Sequence, residues 1–406
     1  MIGKILYILL FLILVASCSA FPTVGACLLL LSSTLETWNM QISGTQWMFS
    51  DIFLIIFLGA NVLRLVLLPR IAIDKKLMIP LLLFSCSVLG SCLFSYRPFA
   101  AFQELIRLAA YLAAAYFVGI SIKRKHFNII YLMLAAVTGL SVILSCFQYY
   151  QNYAADSIHV HGCFIDWNYY AIALTVILPF FLAMLHKAKD HKQENFRIIL
   201  FYFIIVLIWL IQSRSGVMLL VMLLIFSIVM GLLQKKHLVW ILPLLLIGLI
   251  HLLTGHGGIG EKFQQWMTGP RLQERISHIL YALNEFINHP FLGVGAGQFE
   301  TYMQWKYPDL GYAASNVDAT FPLLLVETGL LGCLSFFYLV CMMRNSIFNA
   351  HGVNIEPDYS KRALMLACTM IAVSSLVFCI HNHLFTWCMI GVIYGLSSKE
   401  GHNESI

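Results

Sequence analysis

The sequence predicts an all-α, polytopic membrane protein of about 12 transmembrane helices with one long outer (periplasmic) loop. Three observations carry that expectation. First, 60% of the 406 residues are hydrophobic and only 11% are charged, against about 25% charged in soluble domains. Second, apolar runs near helix-spanning length recur along the chain. Lipid offers no hydrogen bonds, so such runs must satisfy their backbone internally, as helices do. Third, basic residues cluster in alternate gaps between the runs.

The predicted spans are 8–31, 48–68, 77–95, 100–121, 127–149, 168–186, 197–212, 215–233, 237–254, 317–343, 362–380 and 384–398. The first could be two short helices broken near Pro22. Its "VASC" also resembles a lipoprotein signal with Cys18 as the lipidated residue. Apolar sequence continues through "TVGACLLLL", however, which suits a first span. The 11 cysteines lie almost all inside apolar runs, and no CxxC pair occurs. They read as small membrane hydrophobes, not as a disulfide or zinc framework. Neither a metal nor another cofactor is expected.

Charge placement sets the orientation. With both termini in the cytoplasm, the inner gaps and span ends hold most of the 25 basic residues. Lys123, Arg124 and Lys125 make one such cluster, and Lys187, Lys189, Lys192 and Arg197 another. The outer side keeps Arg97, Arg107, Arg214, Lys262, Arg271, Arg275 and Lys306. The chain then divides into spans one to nine (1–254), a long extracytoplasmic loop (255–316), and the last three spans with a short cytoplasmic tail (317–406). Within the loop, Leu272, Ile276, Ile279, Leu280, Leu283 and Phe286 recur at helical spacing. They predict an amphipathic helix on the outer membrane face or capping the bundle.

Distant segments bring ionisable groups to that outer face. Each has a plainer reading. Arg107 pairs with Glu104 one helical turn away. Asp166 caps the helix that Asn168 opens. Arg214 snorkels to headgroups. Arg271 and Arg275 lie on a solvated helix face. His381 and His383 shape a tight turn and are too few for a metal site. As a set they are harder to dismiss, since an ionisable group in a membrane costs on the order of 3 kcal/mol without a partner or a role. "GVGAGQF" (293–299) imitates a phosphate loop, but no strand precedes it and no GK[ST] follows. Its glycines read as a compact turn whose amides could still form an anion nest.

Four stretches together resemble the O-antigen ligase/polymerase family of bacterial membrane glycosyltransferases. They are "HGCFIDWNYYAIAL" (161–174), "QSRSGVMLLV" (212–221), "RISHILYALNEFINHPFLGVGAGQF" (275–299) and "DATFPLLLVETGLLG" (318–332). The ligase-like region is thus about 161–332. The resemblance implies an undecaprenyl-pyrophosphate-linked glycan as donor, a glycan or lipid A core as acceptor, and the bacterial inner membrane as location. It also implies possible partners among other polysaccharide-assembly proteins. Arg214 and Arg275 match the arginines that the family assigns to the lipid pyrophosphate, with Arg271 as a neighbour able to share the task. Guanidinium forks suit phosphate oxygens. Arg107, Asp166 and Asn168 stand as further substrate-binding candidates at the same face.

The family's ligases place a His–Asn pair nine residues before the Glu of "ETGLLG". Here that place reads Asp318-Ala319. The departure favours a repeat-unit polymerase for O-antigen, capsule or exopolysaccharide over a ligase. It also makes Asp318 the candidate base, with a helix cap as its plainer role. Nine residues are roughly 900° of helix, so Glu327 would point away from Asp318. Glu327 and Gly329 are therefore expected to be structural. A transporter is the reading from a different class. It lacks support from any two-half repeat, and the polar groups gather at one face.

Overall fold

The computed structural model describes residues 2–42, 45–67, 74–152, 160–187, 190–211, 213–233, 270–308, 319–349 and 358–398. In chain order the helices are α1 (Ile2–Ala20), α2 (Pro22–Ser32), α3 (Phe49–Leu67), α4 (Lys75–Leu93), α5 (Pro98–Ser121), α6 (Phe127–Asn152), α7 (Trp167–Leu185), α8 (His191–Leu210), α9 (Arg214–Val229), α10 (Pro270–Asn288), α11 (Phe299–Lys306), α12 (Thr320–Asn349), α13 (Tyr359–Val377) and α14 (Leu384–Ser397). Short 3-10 turns lie at Arg124–His126 and Ile380–Asn382.

Two features sharpen the sequence reading. The first predicted span is two helices, because Pro22 takes the opening turn of α2 and cannot continue α1. An antiparallel hairpin also precedes α3, with β1 (Asn39–Ile42) paired to β2 (Thr45–Met48) and Asn39 opposite Met48. Its signal was present in "NMQISGTQWM", where polar and apolar residues alternate up to a Ser-Gly pair.

Among the described residues, seven helices are long and apolar enough to cross a membrane: α3, α4, α5, α6, α7, α12 and α13. Residues Phe11–Ala20, Pro22–Ser32, Ser215–Val229 and Leu384–Ser397 form shorter apolar helices. The expected count of about twelve is not shown among the described residues. The predicted span at 237–254 lies outside them, and the stretches at 8–31, 215–233 and 384–398 are described as shorter apolar helices.

The core is centred on α7. Every residue from Tyr169 to Leu185 is buried, and α13, α9, α8 and α6 pack around it. Elsewhere the helices keep apolar faces outward, as at Val66, Leu132, Ile143 and Phe196. Such surface is costly in water and suits lipid. The α5–α14 pair approaches most closely through small residues. A Cβ on Gly391 would lie 2.4 Å from the Ala115 carbonyl oxygen, and one on Gly395 would lie 2.5 Å from that of Ile122. This is the close-backbone packing that small residues four apart allow in lipid.

The gaps sort to two ends. At one end Arg124 pairs with Asp358, which caps α13, and Lys187 lies 4.3 Å over the Phe127 ring. Arg362 donates to the Met230 carbonyl at 2.9 Å, and Tyr394 donates to Asp74 at 2.7 Å. At the other end sit the hairpin, the turns before α5, α7, α9 and α14, and the segment holding α10 and α11. Replacing Gly395 with Leu is expected to lower the thermal midpoint in detergent, as overpacking typically costs about 1–3 kcal/mol. A thermal melt that follows helical circular dichroism measures it.

Candidate functional site at the polar end of the bundle

The first turn of α7 organises this end. Asp166 is its N-cap, and its carboxylate accepts from the Tyr169 amide at 2.8 Å. Asn168 accepts through Oδ1 from the Ser213 hydroxyl at 2.8 Å. Ser213 is the N-cap of α9, and its hydroxyl oxygen also accepts from the Gly216 amide at 3.1 Å. Gly216 has no side chain to hold the helices apart, since a Cβ there would meet that of Ala171 at 2.3 Å. In "QSRSG", then, Ser213 and Gly216 dock α9 on α7. Arg214 is the first residue of α9 at that junction.

Tyr169, one residue on, stacks on His383, with centroids 3.4 Å apart and planes 13° apart. Its hydroxyl bonds that of Thr386 at 2.9 Å. His383 Nδ1 lies 3.2 Å from Glu36 Oε1, in the segment after α2. The turn that holds His383 also grips the start of α12. The Thr320 hydroxyl donates to the Phe378 carbonyl and accepts from the Ile380 amide, both at 2.8 Å. His381 Nδ1 lies 3.4 Å from the same hydroxyl. Burial, with Arg107 and His383 nearby, pulls His381 down to about 3, so it is neutral at physiological pH. Arg107 itself pairs with Glu104 on the same face of α5.

A second cluster fixes the loop. α12 breaks at Gly329, whose φ of 66° and ψ of −165° are not helical. The segment "HPFLGVG" enters the break. Val294 donates to the Val326 carbonyl at 2.8 Å, Gly295 to that of Glu327 at 3.0 Å, and Leu330 to that of Pro290 at 2.8 Å. Gly293 and Gly329 both have positive φ. A Cβ on either would strike the facing backbone at 2.3 Å, so only glycine fits. Glu327 is buried, and its carboxylate accepts from the Phe299 amide at the start of α11. The amides of Gly293, Val294, Gly295, Gln298 and Phe299 all donate to protein acceptors. The anion nest expected of this loop is therefore occupied by the chain itself.

On α10, Glu285 is fully buried and faces α11. Lys306 donates to both carboxylate oxygens, at 2.8 and 2.6 Å, and Tyr307 and Tyr302 donate at 2.9 and 3.1 Å. Burial alone would raise this carboxyl. The bonds from Lys306, Tyr307 and Tyr302 outweigh it and hold the group below the ordinary carboxylate range. The other face of α10 exposes Ile276, Leu280, Leu283 and Ile287. The amphipathic helix is present, with His278, Ala282 and Glu285 inward and its apolar stripe outward.

The predicted residues thus fall into three groups. Asp166, Asn168, Arg107, Glu327 and Gly329 have defined contacts. Arg214, Arg271 and Arg275 are placed by their helices, at the start of α9 and along the first turns of α10; their side chains are not described. Asp318 lies outside the described residues, two positions before Thr320. Sequence reasoning passed over Glu36, a lone acid in the uncharged stretch between α2 and β2. Its isolation among apolar and neutral residues was the available signal.

Residues 198–337 match the family model described as O-Antigen ligase. That stretch, about a third of the chain, is similar to the O-antigen ligase/polymerase family. The match is consistent with a membrane enzyme that transfers glycosyl groups. The matched region of this O-antigen ligase-like protein spans α8 through much of α12, and so includes Arg214, Arg275, Asp318 and Glu327. "HGCFIDWNYYAIAL" lies before it, yet α7 is the helix on which the matched α9 docks. No curated protein matches the chain.

Three outcomes follow. Lys306→Met should leave a buried carboxylate unpaired, costing on the order of 3 kcal/mol and opening the α10–α11 segment to limited proteolysis at neutral pH. The depressed Glu285 carboxyl gives stability that is present above the unfolded value near pH 4.3 and lost as pH falls through the folded value. Protease resistance of the wild-type segment should therefore fall in acid, and Glu285→Gln should flatten that dependence. Gly293→Ala should likewise release the loop from α12 while the helices, followed by circular dichroism, persist.

Proposed function

We propose that this protein is a membrane glycosyltransferase that polymerises lipid-linked repeat units of O-antigen, capsule or exopolysaccharide. The donor is a glycan on undecaprenyl pyrophosphate, and transfer takes place at the outer face of the bacterial inner membrane. The observation that carries the reading is the first turn of α7. It braces the start of α9, where Arg214 stands, and the turn that holds the start of α12, just beyond Asp318. The family match over residues 198–337 supports it.

In this reading Arg214 and Arg275 bind the pyrophosphate bidentately and stabilise the charge that grows on it as it leaves. Arg271 and Arg107 add positive charge around it. Asp318 engages the acceptor hydroxyl. Asp166 and Asn168 serve by fixing α7 and Ser213. The exposed apolar stripe of α10 lies in the outer lipid boundary, which keeps Arg271 and Arg275 at headgroup height. Aspartate at 318, where the family's ligases have histidine, favours lengthening of a glycan over its attachment to lipid A core.

A strain lacking this chain should keep single repeat units and lose long surface glycan. A plasmid copy should restore it. Arg214→Ala, Arg275→Ala and Asp318→Ala should each fail to restore it at normal membrane abundance. Near-normal glycan ladders on a gel from all three would overturn the reading. Accumulation of full-length polymer on the lipid carrier would convert it to a ligase.

A further inference from the structure

We infer that Glu36 and His383 form the proton-accepting pair of this site. The inference rests on the transferase reading above and names the group that activates the acceptor hydroxyl.

Three separate segments hold the His383 imidazole. Glu36 Oε1, from the segment after α2, sits 3.2 Å from Nδ1. Tyr169 of α7 stacks on one face at 3.4 Å. Phe378, from the end of α13, lies 6.3 Å from the ring centre. Glu36 is held in turn by the Ile165 amide, which donates to Oε2 at 3.4 Å. A side chain clamped by elements distant in sequence cannot swing to a second rotamer, the preorganisation that an acid–base group needs. The imidazole still keeps 21% of its side chain exposed, against 10% for Glu36. It is reachable from outside while its carboxylate is screened.

The pairing fixes the tautomer. An ionised carboxylate only accepts, so Nδ1 carries the proton and donates it to Glu36. Nε2 is left with its lone pair. The charged and titratable groups around this ring are Glu36, Tyr169 stacked on its face, and His381 in its own turn, which Arg107 of α5 also influences. Of these only Glu36 favours an imidazolium. As the acceptor oxygen bonds to the anomeric carbon, the bond from that carbon to the pyrophosphate oxygen breaks. The pyrophosphate leaves with the electron pair, and Nε2 takes the hydroxyl proton. Glu36 then faces an imidazolium, whose charge it stabilises.

Position supports this role. Tyr169, against His383, follows Asn168, which bonds the residue before Arg214. The turn holding His383 binds Thr320, two residues after Asp318. An ordinary aspartate, with a pKa of about 3.9, is a weak base at neutral pH, whereas imidazole near 6.5 is matched to it. Asp318 then orients the hydroxyl and His383 removes its proton.

The test uses membranes from the deletion strain, loaded with its own lipid-linked repeat units and carrying wild-type or variant full-length chain. Chain lengthening is followed on gels from pH 5.5 to 8.5. The wild type should show a rate that rises with pH along one limb. His383→Gln should lose about a hundredfold in rate and lose the limb. Glu36→Gln removes the adjacent negative charge, so the limb should move to lower pH with a rate loss of about tenfold or more. If His383→Gln fails to accumulate, the Glu36→Gln shift decides alone. A wild-type limb in both variants at reduced abundance means the pair only pins the turn, and overturns the inference. So does a limb that survives in His383→Gln and vanishes in Asp318→Asn. A wild-type chain that restores no long glycan instead overturns the transferase reading itself, and the pair with it.

Discussion

The carbonyls of Val326 and Glu327, inside a membrane-crossing helix, must find donors. Gly329 turns the chain out of helical geometry just beyond them, and lipid supplies nothing in exchange. The amides of Val294 and Gly295 fill that need. From this constraint the rest of the polar end follows. The loop has to reach into the bundle, so its backbone must approach α12 closely, so glycine stands at 293 and 329. The docked loop then presents the start of α11 to the Glu327 carboxylate, and α11 presents Lys306 to Glu285 of α10. A helix carrying two arginines is thereby registered against the bundle by hydrogen bonds in a protected interior. There each bond is worth more than it would be in water.

The first turn of α7 plays the matching part on the other side of the site. Its three polar residues each hold a different part of the site. Asp166 closes its own helix, Asn168 takes Ser213, and Tyr169 takes His383 and Thr386. Side chains with few rotatable bonds do this work, and they hold positions well because little freedom has to be fixed. The longer, charged groups assigned to substrate are mounted on what these residues fix.

Much of the helical plan was legible because membrane insertion writes it in plain composition. Runs of apolar residues mark the helices, and the clusters at 123–125 and 187–197 fall at one end of the bundle together. The break at Pro22 was readable too. The hairpin at 39–48 was hidden by its brevity and because only its first strand alternates. For the site, sequence spacing could place Asp166 as a cap and Glu104 beside Arg107, since both contacts are local. It could not pair Glu36 with His383, because nothing in one sequence ties two residues that far apart. Nor could it see that "GVGAGQF" spends the amides of Val294, Gly295 and Phe299 on α12. That depends on a break in a helix which hydropathy reads as continuous. α10 shows the same limit in another form. Its periodicity revealed two faces, but in contact with lipid the apolar face is the outward one, so Glu285 is the buried residue.

α7 has a history written into it. Every side chain from Tyr169 to Leu185 is enclosed by protein, so in the finished molecule the helix body meets no lipid. A buried helix of this kind could in principle carry polar side chains bonded to its neighbours, yet its sequence is as apolar as that of lipid-facing α4. The reason lies in the order of assembly. Helices enter the bilayer individually and associate afterwards, so α7 has to be soluble in hydrocarbon before α8, α9 and α13 have been made to surround it. Its composition answers to the insertion machinery, and its packing to the neighbours that arrive later.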